Sequence, residues 1–320
     1  MLPASVRATL ARFSNIVCGV SLIVGCSSGA PTSLPLGSVA KRHLPAPGQP
    51  SRPFGYALLA DTQNNVIDVF TRTGKLANQI TNGIIAPSGL SIDGQNNLWV
   101  ANNQNALMFA PGATSPTRTL ADPGQLPADV NAASDGTVYV ANFSSTDGSQ
   151  YGPGSISVYA PGHTKPTRFL HDPNAQYDDS VTSDLAGNLF TTINDYTGVG
   201  YVDEFVGGKQ SGFKRLKPAF SFALTIRMND AGDLLVLDQI QQRITEFTET
   251  GAPTGIKLKT SGNWTAFALN AAGTTVLGAE DSPDSFKGIL STFPRYNRLR
   301  RFHLPNMGLI QGVAFAPVSK

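Results

Sequence analysis

Short apolar runs, each preceded by a turn and followed by a polar residue, recur along the chain from residue 54 to its end. They are clearest at residues 56–61, 97–102 and 137–142, with weaker copies at 188–193, 233–238 and 274–279. Runs of this length between turn residues are typical of short β-strands. The equivalent central positions are Leu58, Trp99, Tyr139, Phe190, Leu235 and Val276. These positions lie 41, 40, 51, 45 and 41 residues apart, a period that predicts the blades of a β-propeller.

Two further strands flank each central run. The strand that follows alternates apolar and polar residues, as at 66–70, 155–159 and 243–247, which is the period of a half-buried strand. The strand that precedes is found at 89–92, 129–132, 180–183, 225–228 and 266–269. Segments 109–118 and 159–168 match almost position for position, which indicates internal duplication.

The first and last repeats complete each other. No preceding strand comes before Leu58, whereas residues 312–315 supply such a strand with no central run after it. The pattern therefore predicts an all-β fold, a six-bladed β-propeller closed by the C-terminal strand pairing into the first blade. Closure leaves no exposed sheet edge across the ring. We assign residues 54–320 to this domain.

Two segments carry a resemblance to a known repeat. Residues 89–102, Gly-Leu-Ser-Ile-Asp-Gly-Gln-Asn-Asn-Leu-Trp-Val-Ala-Asn, and residues 60–70, Ala-Asp-Thr-Gln-Asn-Asn-Val-Ile-Asp-Val-Phe, resemble the NHL-type repeats of six-bladed propellers. The resemblance extends over residues 54–320 and implies the architecture. It leaves the function open, because this fold hosts hydrolases, lyases, scaffolds and sensors.

The first 25 residues predict an export signal. Arg7 and Arg12 precede an apolar run at 16–24, which is shorter than the roughly 20 residues that span a bilayer as a helix. The run ends in Ile-Val-Gly-Cys at 23–26, which resembles the lipobox of bacterial lipoproteins. That resemblance implies lipidation of Cys26 and removal of residues 1–25; the alternative is an ordinary cleaved secretion signal. Ser27 does not resemble the inner-membrane retention signal, so the expected location is the outer membrane of the bacterial cell envelope.

Residues 26–53 are rich in Ser, Pro, Gly and Ala, which predicts a flexible tether from the lipidated cysteine. Both cysteines, Cys18 and Cys26, precede the propeller, so it has no thiol for a disulfide, a thiolate metal site or a nucleophile. The chain has 24 Lys and Arg against 22 Asp and Glu. Without Arg7 and Arg12 the balance is zero, which argues against a nucleic-acid partner.

The innermost strands of the blades are expected to line a central channel. Polar residues concentrate on three neighbouring blades, and a carboxylate pair and an indole enter at one mouth, which would suit a sugar or a cationic group. The candidate ligand-binding residues are Asp129, Asn131, Asp178, Asp179, Thr182, Thr225, Arg227 and Trp264. The alternative is that Arg227 pairs with Asp129 and water fills the channel.

Catalytic chemistry finds little support in the sequence. The 4 histidines have no serine or carboxylate partner at a suggestive position, so no triad is predicted. Propellers similar to the gluconolactonases hold a divalent cation with Glu, Asn and Asp, and only Asp129 and Asn131 offer such ligands on the innermost strands. We therefore expect no metal and no cofactor.

Two further sets of residues each have a structural and a functional interpretation. Short polar residues at strand ends are expected to cap turns rather than to form a polar ring; they are Asp61, Asn102, Asn142 and Asp238. The basic run at 295–303 could contact anionic lipid head groups, or it could keep an outer strand soluble and unpaired.

Together these features favour a non-catalytic, membrane-anchored propeller that binds a protein, peptide or glycan in the bacterial cell envelope. The alternative is a metal-dependent hydrolase or lyase of the gluconolactonase-like propeller type. We expect a monomer whose envelope partner is unidentified.

Overall fold

A computed structural model of the protein describes residues 54–145, 153–217, 219–282 and 285–317. The export signal at 1–25, the lipidation site Cys26 and the tether at 26–53 lie outside the described residues. In the described part, no helix is long and apolar enough to cross a membrane.

The described chain folds into six four-stranded sheets, here called blades 1 to 6. Blade 1 contains β24 (Ile310–Pro317), β1 (Phe54–Asp61), β2 (Val66–Thr71) and β3 (Leu76–Ile80). Blade 2 contains β4 (Leu90–Ile92), β5 (Leu98–Asn102), β6 (Asn105–Phe109) and β7 (Arg118–Ala121). Blade 3 contains β8 (Gln125–Ala132), β9 (Val138–Ser145), β10 (Ser155–Tyr159) and β11 (Arg168–Leu170).

The remaining blades repeat this order from the innermost to the outermost strand. Blade 4 contains β12 (Ala175–Ser183), β13 (Leu189–Asp195), β14 (Gly200–Phe205) and β15 (Phe213–Arg215), with short 3-10 helices at Val206–Gly208 and Gln210–Gly212. Blade 5 contains β16 (Ala223–Met228), β17 (Leu234–Asp238), β18 (Arg243–Phe247) and β19 (Pro253–Lys259). Blade 6 contains β20 (Asn263–Leu269), β21 (Thr275–Ser282), β22 (Ser285–Thr292) and β23 (Arg298–Phe302).

The C-terminal strand closes the ring. Strand β24 pairs antiparallel with β1, with Ala314 opposite Leu58 and Gly312 opposite Ala60. The predicted six-bladed propeller and its closure are thus confirmed. At Gly312 a Cβ atom would collide with the carbonyl oxygen of Ser88 in blade 2, so glycine permits the inner strands of blades 1 and 2 to approach closely.

The hydrophobic core is divided among the gaps between blades. Six clusters of buried side chains occupy the six gaps, for example Phe70 of blade 1 against Phe302 of blade 6, with ring centroids 5.2 Å apart. Burying one such side chain contributes about 1.5–3 kcal/mol. Since every sheet is covered on both faces, its strands read as apolar runs rather than strict alternation.

The cluster in the gap between blades 6 and 1 corrects one equivalence inferred from the repeat. Leu277, not Val276, pairs with the inner-strand residue Ala268. Leu277 packs toward blade 1, as Leu58 packs toward blade 2, whereas Val276 faces blade 5. The error arose because both residues are apolar, and a one-residue shift reverses which face a side chain occupies.

Polar residues at the ends of the second strands bind loop backbone in blades 1, 2 and 5, whereas Asn142 of blade 3 donates to the side chains of Ser155 and Ser157 instead. Asp61 accepts hydrogen bonds from the backbone N–H groups of Asn64 (3.0 Å) and Gly308 (2.7 Å). Asp238 accepts from Gln241 (3.0 Å) and Ser221 (2.9 Å). The predicted capping role is confirmed for these two aspartates, and Asn102 binds its entry loop similarly.

Ring closure predicts a specific sensitivity at Gly312. We expect Gly312→Val to lower the free energy of unfolding by about 3 kcal/mol, because the new side chain meets backbone that cannot yield. Ala316→Val, on the same strand at a half-buried position, is the control and should change stability by less than about 1 kcal/mol. Equal denaturation midpoints for the two variants would contradict the close contact of blades 1 and 2.

Candidate functional site

Three polar side chains from three blades meet at the centre of the ring. Arg227 of blade 5 donates from Nη1 to Asp129 Oδ2 of blade 3 at 2.7 Å and to Ser180 Oγ of blade 4 at 2.9 Å. The hydroxyl of Ser180 donates to the same Asp129 oxygen at 2.5 Å. Asp129 and Ser180 therefore both have hydrogen-bond partners within the protein.

The Arg227 guanidinium also contacts two backbone carbonyl oxygens. Arg227 Nη1 lies 2.8 Å from the carbonyl oxygen of Ile226, and Nη2 lies 3.5 Å from that of Leu90 in blade 2. Asp129 is buried, and its partner is largely buried as well. The expected ion pair between Arg227 and Asp129 is present, and it ties together the innermost strands of blades 2 to 5.

The other predicted channel residues lie near this network. Asn131 accepts a hydrogen bond from Ser183 at 2.7 Å, whereas Thr182 and Thr225 are buried side chains on β12 and β16. The fold thus brings Asp129, Asn131, Thr182, Thr225 and Arg227 to the innermost strands. Ligand binding by these five residues stays a prediction.

Asp178 and Asp179 do not form an exposed carboxylate pair at a channel mouth. Both side chains are buried, and an irregularity in β12 at this point gives them different partners. Asp178 accepts from Thr191 Oγ1 at 3.3 Å, and Asp179 accepts from Asn194 Nδ2 at 2.5 Å. Asn194 also donates to the Ala223 carbonyl oxygen of blade 5 at 2.7 Å. The expected exposed pair is therefore wrong, because each carboxyl is enclosed at a blade interface.

Trp264 is also misplaced by the sequence argument. Its side chain is 0% exposed and belongs to the core between blades 5 and 6. The indole packs where Gly278 leaves space, since a Cβ at position 278 would overlap the ring. The expectation that Trp264 lies at a channel mouth is wrong, because its apolar surface is buried against the neighbouring blade and offers nothing for a ligand to stack on.

A buried carboxyl cluster between blades 3 and 4 escaped the sequence analysis. Asp172, Asp178 and Asp203 are all buried, and Arg215 forms ion pairs with Asp172 and with Asp203, the latter at 3.0 Å. The cluster holds three carboxyls and one guanidinium. The sequence contains one pattern that could have indicated a structural role for Asp172. Leu-X-Asp-Pro occurs twice, at 120–123 and at 170–173.

Burial changes the acid strength of this cluster. Loss of hydration raises the pKa of Asp178 well above its usual range, and the neighbouring Asp203 carboxylate raises it further. Burial raises the pKa of Asp203 to about 7, although Arg215 acts in the opposite direction. Burial also raises the pKa of Asp179 to about 8, against the hydrogen bond from Asn194. These carboxyls therefore retain protons where ordinary aspartates are ionised.

Within the ranges that the structure describes, no group of three or more His, Cys, Asp or Glu residues is arranged to hold a metal ion. A concave surface of about 510 Å³ is lined by Pro161, Gly162, His163, Thr164 and Lys165. All five residues belong to one exposed turn of blade 3, away from the channel network.

No protein-family model and no curated protein matches the sequence. Solved structures do match the fold. A chain of the nidogen/laminin complex superposes with a TM-score of 0.64 at 16% identity, over 82% of this chain and 98% of that chain. A protein of unknown function from Bacteroides caccae gives 0.60 at 10% identity, over 81% and 98%. The WD40 β-propeller domain of Doa1 gives 0.53 at 12% identity, over 71% and 72%.

At identities this low, structural similarity establishes the fold and not the function. The chain is a six-bladed β-propeller, as its own strand pairing shows, and the fold is compatible with a binding scaffold. The closer resemblance to NHL repeats stays a prediction.

The raised carboxyl pKa values predict the pH dependence of stability. A group with a raised pKa binds its proton more tightly when folded, so it stabilises most below the unfolded value near 4. The free energy of unfolding should therefore fall as pH rises from about 4 to about 8, by at most about 1.4 kcal/mol per group per pH unit. Denaturant titrations at several pH values measure this slope, and Asp178→Asn should flatten it.

Asp195→Asn is the control for that slope. Slight burial tends to raise the pKa of Asp195, but hydrogen bonds from Thr197 and Val199 lower it overall. Both its folded and unfolded values therefore lie below the tested range, and the variant should retain the wild-type slope. A slope unchanged in Asp178→Asn would show that this carboxyl is not protonated in the folded protein.

The central ion pair predicts a second stability effect. Arg227→Met should cost about 3 kcal/mol, because it leaves the Asp129 carboxylate buried without a countercharge. The double variant Asp129→Asn/Arg227→Met should recover at least about 1 kcal/mol of that loss, since no charge then remains buried. Lys165→Met, which removes a cation from an exposed turn of blade 3, should cost less than about 1 kcal/mol. If the two single variants lost equal free energy of unfolding, the structural role assigned to Arg227 would be wrong.

Proposed function

We propose that this propeller is a non-catalytic binding scaffold, anchored to a bacterial envelope membrane through Cys26, and that its partner is a protein docked on blades 3 and 4. A peptide or glycan partner is the broader form of the same proposal. The observation that carries it is an uneven distribution of exposed apolar side chains around the ring.

Four of the six large apolar side chains that are exposed in the described ranges belong to blades 3 and 4. They are Phe169 (49% exposed), Leu185 (59%), Tyr196 (60%) and Val206 (43%). Single exposed apolar residues are ordinary, whereas a local concentration of them is typical of an interaction surface. Tyr196 lies in the turn between β13 and β14, at the opposite end of blade 4 from Leu185 and Val206, so the local surface is formed by the latter two. Large apolar and aromatic side chains are also the residues that anchor protein interfaces.

Two of these residues form a contiguous surface at one end of blade 4, here called the blade 4 surface. Leu185 lies in the turn between β12 and β13, and Val206 follows β14. Since adjacent strands are antiparallel, both turns lie at the same end of the blade. The backbone N–H of Gly207 donates to Asn188 Oδ1 at 3.0 Å, which connects the two turns. A partner can therefore contact both side chains at once.

The channel is a weaker candidate than this surface. Asp129, Ser180 and Arg227 satisfy one another through hydrogen bonds. A ligand that enters would need to replace these bonds, and separating a largely buried ion pair is costly. Loops on a rigid scaffold, in contrast, bind partners without disturbing the core.

The anchor is supported by the lipobox-like sequence that ends in Cys26 and by the Pro-rich segment that follows it. Among structures of similar fold, one matched chain belongs to a complex of nidogen with laminin. That complex gives a precedent for a propeller of this shape in an assembly with another protein.

The proposal predicts the outcome of affinity capture from detergent-solubilised membranes of the native cell. The wild-type protein should retain a fixed partner, and Leu185→Asp/Val206→Asp should reduce its recovery at least tenfold, because a charge in an apolar interface is desolvated without a counterion. Mass spectrometry quantifies the recovered partner and also detects the lipid on Cys26.

Matched variants separate the parts of this proposal. Ile85→Asp changes a side chain that is 50% exposed in the loop between β3 of blade 1 and β4 of blade 2, outside blades 3 and 4, and it should leave recovery within twofold of the wild type. Cys26→Ser should move the protein into the soluble fraction. If Ile85→Asp lost the partner as completely as Leu185→Asp/Val206→Asp, the proposed docking site would be wrong. If Cys26 carried no lipid, the proposed anchor would be wrong.

A further inference from the structure

The outermost strands of the six blades carry positive charge only. Across β3, β7, β11, β15, β19 and β23 there are nine Lys and Arg residues and no Asp or Glu. The chain without its first 25 residues has equal numbers of both signs. The acidic residues are therefore concentrated inside the ring and in its loops, and the perimeter is basic.

On blades 2 to 4 the cations of the perimeter have partners within the protein. Arg118 donates to the His163 carbonyl oxygen at 2.7 Å, and Arg168 donates to that of Gly208 at 3.0 Å. Lys214 pairs with Glu204, and Arg215 pairs with Asp203. These four side chains are explained by contacts inside the propeller.

On the outer strands of blades 5 and 6, only Arg300 has a comparable partner among the described residues, the Thr73 carbonyl oxygen of blade 1. These outer strands carry five basic side chains, all exposed, which we call the basic edge: Lys257, Lys259, Arg298, Arg300 and Arg301. None of them takes part in an ion pair formed among the described residues. Leu299, in the middle of the arginines, is 50% exposed.

Protection against edge-to-edge aggregation does not account for the basic edge. One charged residue or a short strand is enough to discourage pairing at a sheet edge. Strand β3 of blade 1, with the sequence Leu-Ala-Asn-Gln-Ile, has no charge at all, whereas β23 has three arginines in five residues. We infer that the additional arginines on β23 bind an anionic surface outside the molecule.

The chain enters the propeller beside this edge. Strand β1 begins in blade 1, where Tyr56 pairs with Thr71 at the start of the turn between β2 and β3. Arg300 of blade 6 donates a hydrogen bond to the carbonyl oxygen of Thr73 in that turn. The start of β1, which is the first described strand, and the Arg300 end of the basic edge therefore lie close together.

We propose that the basic edge lies on the anionic phospholipid surface of the membrane, so that the propeller stands on blades 5 and 6. Guanidinium groups bind phosphate in a bidentate geometry, and an exposed leucine among them can enter the interfacial region. The inference rests on the proposed membrane anchor for its choice of occupant. Blade 4 is the neighbour of blade 5 in the ring, but the blade 4 surface lies at one end of its sheet rather than on the outer edge, so this orientation leaves it free for a partner.

The test uses residues 54–320, the domain that contains the closed ring and lacks Cys26. This protein should bind vesicles of phosphatidylcholine with about 30 mol% phosphatidylglycerol in low salt, and release in about 0.5 M salt as charges are screened. Each basic residue near an anionic surface contributes about fivefold to partitioning. Arg298→Glu/Arg301→Glu should therefore reduce the partition coefficient by about 25-fold or more in a sedimentation assay.

The matched control is Lys165→Glu/Lys209→Glu, which makes the same charge change at exposed sites on blades 3 and 4, and it should bind within twofold of the wild type. Equal weakening of both variants, or no binding to anionic vesicles, would overturn the proposal. Tighter retention on a sulfated polysaccharide than on vesicles, lost in Arg298→Glu/Arg301→Glu, would reassign the edge to an anionic glycan. Because the vesicle assay contains lipid and no protein partner, a negative result would not bear on the proposal that a partner docks on the blade 4 surface.

Discussion

The pairing of β24 with β1 is the constraint on which the rest of the structure depends. It joins residues more than 200 positions apart and places six sheets around one axis. Each gap between blades then holds one hydrophobic cluster that neither blade could bury alone. Closure also brings the innermost strands together, so that Arg227 reaches Asp129 across an intervening blade.

The interior is unusually acidic for a core, and its electrostatics follow from burial. Asp129 is compensated by Arg227, which makes it part of the framework. Asp178 and Asp203 share a gap with too few cations, so their protons are held more tightly. Such groups make the stability of the folded state sensitive to pH.

Two regions of the surface differ in chemical character. Most of the described exposed apolar side chains lie on blades 3 and 4, and the outer strands of blades 5 and 6 carry exposed cations that form no ion pair among the described residues. The overall charge near zero conceals this separation, because the balancing carboxylates are largely buried or lie in loops. The proposed anchor and partner would use these two regions separately, the cations toward anionic lipid and the apolar side chains toward a protein.

The sequence by itself determined the number of blades, the strands and the ring closure, because a repeat of 40 to 51 residues and a missing first strand are local patterns. It also offered the Arg227–Asp129 pair as the alternative to a ligand site, and the structure contains that pair. Only the tertiary structure decided the surroundings of Trp264, Asp178 and Asp179. Whether a side chain faces a channel or a neighbouring blade depends on bulges and close glycines, as at Gly278, and a shift of one residue reverses the answer.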